Sequence, residues 1–68
     1  MLVKISNPAI PNGVYIEIIG GDYTPASRCF RFDENGNAEY ARLADLTSGN
    51  PAPRWYGFHR RADQFTFA

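Results

Sequence analysis

Cysteine and lysine are almost absent from this chain, Cys29 and Lys4 being the sole examples. A single cysteine cannot form a disulfide within the chain, so the fold holds without covalent cross-links and a reducing, cytoplasmic setting is the expectation. Histidine also occurs once, at His59. One thiol and one imidazole fall short of the roughly four ligands of a structural zinc site, and neither C-x-x-C nor H-x-x-x-H spacing occurs. The segment Asp33-Glu34-Asn35-Gly36-Asn37 lacks the spacing and the terminal bidentate Glu of a calcium loop. No metal is expected. Gly20-Gly21 fits neither phosphate-binding glycine pattern, G-x-x-x-x-G-K or G-x-G-x-x-G, so no nucleotide cofactor is expected either.

Long apolar runs are missing as well. Nothing approaches the roughly 18 residues that cross a bilayer, and Met1 to Ile5 reaches Asn7-Pro8 before the apolar stretch of an export signal can form. We therefore expect no membrane insertion and no export. Charge of one sign is not in excess, because seven acids balance six Arg and one Lys. A neutral whole argues against a general nucleic-acid binder, whose affinity grows with the phosphates it neutralises. Nothing local brings Cys29 to His59, as a Cys-His nucleophile would require, and the nucleophile-elbow pattern G-x-S-x-G is absent. The chain is not expected to be an enzyme.

What the sequence does contain is β-patterning and rings. From Arg28 to Arg42 a two-residue apolar alternation runs into Asn35-Gly36 and resumes beyond it, a strong hairpin signal. A plain two-residue turn would set Phe32 opposite Glu39. A longer loop, with Gly36 left-handed and a bulge beside it, pairs Phe30 with Tyr40, Arg31 with Glu39 and Phe32 with Ala38 instead. Only this register keeps each face consistent, since a one-residue slip moves every side chain to the other face.

Along the rest of the chain, Leu2 to Ile5 reads as a short strand, and residues 7–13 read as a Pro- and Gly-rich loop. Val14 to Ile19 is the clearest single strand, expected to be central. Gly20 to Pro25 is turn chemistry. Residues 38–46 suit either structure: the hairpin favours strand to about Arg42 and then one short helical turn over 43–46, while a full helix from Ala38 is the alternative. Pro51 and Pro53 mark a loop, Arg54 to His59 a strand, and Gln64 to Phe67 a last strand carrying Phe65 and Phe67 on one face. The expectation is a single all-β domain over 1–68, or α+β by virtue of that one turn. Its form would be a small antiparallel barrel or a bent sheet of five to six short strands.

Charge is unevenly spread. Residues 46–68 carry Arg54, Arg60 and Arg61 against Asp63 alone. The run Arg54-Trp55-Tyr56-Gly57-Phe58-His59-Arg60-Arg61 interleaves guanidiniums with rings, the residue types of protein-interface hot spots and of single-strand binders alike. With Tyr56 and Phe58 inward, alternation turns Trp55, His59 and Arg61 outward. The expected partner-binding residues are Arg54, Trp55, His59, Arg60 and Arg61. The function expected is protein–protein binding, as by a phage or mobile-element accessory or inhibitor protein that occludes a larger partner. A single-stranded nucleic-acid-binding module using 54–61 is the alternative, and a homodimer through a sheet edge is a further possibility for the partner.

Overall fold

The computed structural model describes residues 1–49 and 52–68. Five strands make one antiparallel sheet in sequence order: β1 Leu2–Lys4, β2 Tyr15–Glu17, β3 Arg28–Phe32, β4 Asn37–Arg42 and β5 Tyr56–Arg61. One helix, α1 Leu43–Thr47, follows β4, and a 3-10 turn, Ala62–Gln64, follows β5.

The β3–β4 hairpin has the bulged register that patterning demands, with Phe30 opposite Tyr40, Arg31 opposite Glu39 and Phe32 opposite Ala38. Gly36 takes φ +81°, a left-handed conformation that a side chain would strain. The Asp33 carboxylate organises the loop by accepting the backbone N–H of Asn35 at 2.9 Å and of Asn37 at 2.8 Å. A second tight turn forms where Gly20 and Gly21 both adopt positive φ, 65° and 81°. Ile19 and Asp22 exchange backbone hydrogen bonds of 3.1 and 3.2 Å across it, the arrangement of a two-residue hairpin turn. That turn peels Ile19 away from the sheet, so the strand expected over Val14 to Ile19 is regular only across Tyr15–Glu17. It lies inside the sheet between β1 and β3, although β3 is the middle strand.

Strand gives way to helix at Leu43, as expected, and a helix from Ala38 is excluded by the β4 pairing. The switch has a local cause. The first free helical N–H groups find acceptors on the segment before β3: Leu43 donates to the Ser27 carbonyl and Ala44 to the Pro25 carbonyl, both at 2.9 Å. Of the two expected forms, a barrel and a sheet, the described residues form an open sheet. Among the described residues the sheet does not close into a barrel, the segment after β5 meeting β1 through a single parallel bridge, Leu2 to Phe67. Leu2 donates to Thr66 at 2.8 Å and accepts from Ala68 at 2.9 Å, which covers the outer edge of β1. The expected strand over Gln64 to Phe67 is thus a 3-10 turn plus that bridge.

Alternation along each strand divides the sheet into two packed faces. One is aliphatic: Val14, Ile16, Cys29 and Ala41 are covered by Ile10 and by Leu46 of α1. The other is aromatic, centred on Phe30, which is 1% exposed, with Leu2 and Ala38 beside it. Among the described residues no helix is long and apolar enough to cross a membrane.

Candidate functional site

The register builds the aromatic face row by row. Lys4 pairs with Tyr15, Tyr15 with Phe30, Phe30 with Tyr40 and Tyr40 with Tyr56, a continuous row across all five strands. One pleat along, Leu2 pairs with Glu17 and Arg28 with Arg42, and Arg54 leads into β5 on the same side. On the other flank lie Phe32, Ala38 and Phe58.

All the aromatic residues of the chain except Tyr23 and Trp55 pack together here. Phe30 anchors the set, its ring 5.2 Å from Phe58 and 4.9 Å from Phe65. Burial fades toward β5. Tyr40 and Phe58 are half-buried, while Tyr56 is 49% exposed with its ring 5.7 Å from that of Tyr40.

Guanidiniums lie over these rings. Arg28 sits 5.0 Å from the Tyr40 centroid and 5.6 Å from Phe58; Arg54 sits 5.4 Å from Tyr56; Arg60 sits 5.9 Å from Phe58 and 5.3 Å from Phe65. Each such contact at an exposed site is worth about 0.5–1 kcal/mol. Together with Lys4 and Arg42, these residues put five of the seven basic side chains on one face. The acids there are Glu17 and Asp45, the latter paired with Arg42 at 3.2 Å. A chain of zero net charge therefore carries a cationic aromatic face.

The five residues expected to bind a partner do not all meet. Arg54 and Arg60 join the aromatic face. Trp55 is half-buried against the aliphatic cluster, with the Arg31 guanidinium 4.3 Å from its ring centroid and Arg31 held by Glu39 at 2.9 Å. His59 is exposed and lines a shallow groove with Glu39, Gly57 and Arg61. Arg61 lies against the Gly36 turn, where hydrogen bonds from the Asn37 and Asn35 backbone, and to the smallest extent the Arg61 charge, hold the Asp33 carboxyl below its usual range. The backbone N–H of Asn37 is the leading cause of that depression. Tyr56, expected inward, is the most exposed ring of the aromatic set.

Arg28, Tyr40 and Arg42 were outside the expected site, yet the hairpin register already sets Arg28 against Arg42 and Phe30 against Tyr40. Cys29 and His59 lie on strands separated by β4, and the thiol is fully buried, which raises its pKa to about 11. No protein-family model, curated protein or solved structure matches this chain.

Proposed function

We propose that this chain is a non-enzymatic binding module that docks an acidic protein surface on its arginine and aromatic face. The observation that carries the reading is the set of guanidiniums on this face that form no carboxylate ion pair among the described residues, Arg28, Arg54 and Arg60, with Arg28 directly opposite Arg42. Like charges placed directly opposite one another on a sheet oppose folding, and an anionic partner turns that opposition into binding. Tyr40, Tyr56 and Phe58 supply the ring surface that anchors such interfaces.

Single-stranded nucleic acid is the competing ligand, since rings and guanidiniums also suit bases and phosphates. The guanidiniums over Tyr40, Tyr56, Phe58 and Phe65 occupy ring faces that bases would need for stacking, which favours a protein. Occlusion of a larger partner is the role that a small module of this kind suits, as in a phage or mobile-element inhibitor. A reducing cytoplasm suits its unpaired cysteine.

Affinity capture from the native host tests the reading, using the wild type and a variant combining Arg28→Glu, Arg54→Glu and Arg60→Glu. The expected result is an acidic protein retained by the wild type after nuclease treatment and lost by the variant. Retention that disappears with nuclease, or that survives charge reversal, overturns it.

A further inference from the structure

The two edges of the sheet differ. The outer edge of β1 is covered by the bridge to Phe67, whereas β5 is the last strand in the order and its outer edge carries no described strand. That open edge coincides with the most exposed part of the aromatic face. On one side of β5, in succession, stand Tyr56, Phe58 and Arg60, with Arg54 two residues before the strand begins and its guanidinium over Tyr56. Cations bracket two rings.

We propose that the partner docks by adding an extended strand to β5, with the alternating pattern acid, apolar, apolar, acid on the side facing these residues. This rests on the reading of the face as a site for an acidic protein and specifies how that protein is held. Backbone hydrogen bonds to an open edge supply affinity, and side chains two apart on the added strand stand beside Arg54, Tyr56, Phe58 and Arg60 in turn. Carboxylates then meet the two guanidiniums, and apolar side chains meet the rings.

A second copy of the chain fits the same edge less well. Antiparallel pairing of β5 with its own duplicate, in the register that overlaps the whole segment, sets Arg54 against Arg60 at both ends. Like charges opposite one another oppose that pairing. The bulge lies in β5 itself and bends and twists that strand, so an added strand has to follow the bend; Tyr56, Phe58 and Arg60 keep to one side through it. There, two steps on β4, from Asn37 to Glu39, face four on β5, from Gly57 to Arg61.

The test uses the whole chain and a synthetic peptide, Glu-Thr-Ile-Thr-Val-Thr-Glu, with amide hydrogen exchange read along β5. The expected result is slowed exchange at amides of 56–61 on adding peptide. Methylating alternate peptide nitrogens on the pairing edge should weaken binding more than tenfold, as should replacing both Glu by Lys. Peptide that binds equally well when methylated, and leaves β5 exchange unchanged, overturns strand addition while the acidic-partner reading stands. Peptides of either sign binding alike, or none binding at low salt, overturn both. Slowed β5 exchange that rises with protein concentration in the absence of peptide assigns the edge to a second copy and overturns the proposal.

Discussion

At the scale of single residues, burial and backbone conformation give the sharpest expectations. Cys29 lies in the aliphatic cluster with its pKa raised to about 11 from an ordinary 9.0. Between those values the unfolded chain releases a proton that the folded chain keeps, so stability falls as pH rises from about 9 to about 11 and is unaffected by this group below that window. The slope approaches about 1.4 kcal/mol per pH unit within the window. Denaturant titrations across alkaline pH should show this slope in the wild type and lose it in Cys29→Ala. A slope unchanged by the substitution contradicts the burial argument. Asp33 acts in the opposite sense: its depressed pKa adds stability at neutral pH that is lost as pH falls through the carboxylate range and below. Gly36→Ala should destabilise by about 1–2 kcal/mol through its positive φ. The space around Gly36 is not the cause, since an added Cβ would meet Arg61 and Ala62 only at ordinary contact distances of 3.7 and 3.9 Å.

Gly36 and its register were legible in the sequence because turn chemistry and two-residue alternation demanded the same answer. Trp55 was less legible. Alternation says that Trp55 and Tyr56 point to opposite faces but not how much covers each face. Cover comes from distant segments: Leu46 of α1 and Ile10 close over the aliphatic side near Trp55, while among the described residues nothing comparable reaches Tyr56.

Elements set the candidate site. β3 and β4 each contribute one arginine and one ring to adjacent rows, Arg28 with Phe30 and Arg42 with Tyr40, so the hairpin alone builds half of the face. Arg28→Glu should separate binding from folding. It exchanges a like-charged pair with Arg42 for an opposite one, a gain of about 0.2–1 kcal/mol, and removes two cation–π contacts worth about 1–2 kcal/mol together as well as the favourable neighbour of Glu17 in the same row. Thermal or denaturant unfolding should therefore show a loss of no more than about 2 kcal/mol, leaving the chain folded, while partner binding is lost. A variant that unfolds, or that binds as the wild type does, contradicts this balance. The strand ends were the least legible part of the sequence. β2 stops at Glu17 because the Gly20-Gly21 turn redirects the chain, and α1 starts at Leu43 because carbonyls of Ser27 and Pro25 accept its first N–H groups. Those acceptors lie far away in sequence and leave no local pattern.

For the whole molecule, the features that matter are thin stability and separated charge. A chain of 68 residues buries about 60% of the surface its unfolded form exposes. One small domain of this kind rarely holds more than about 3–5 kcal/mol, and truncating a buried Phe costs about 3–5 kcal/mol. Phe30 ties the aromatic face together, with Tyr40, Phe58 and Phe65 around it. Phe30→Ala should therefore leave the chain largely unfolded at room temperature by circular dichroism; a cooperative transition near the wild-type midpoint contradicts the packing account. Charge separation was hidden at this scale. A net charge of zero follows from composition, but five of seven bases share a face only once the register is known.

The most direct test of the docking face is calorimetric titration of the purified partner against two triple variants. One carries Arg28→Glu, Arg54→Glu and Arg60→Glu, and the other Trp55→Phe, His59→Ala and Arg61→Ala. Docking on the arginine and aromatic face predicts at least a hundredfold weaker binding for the first and near wild-type affinity for the second. Strong binding by the first with loss by the second would contradict it.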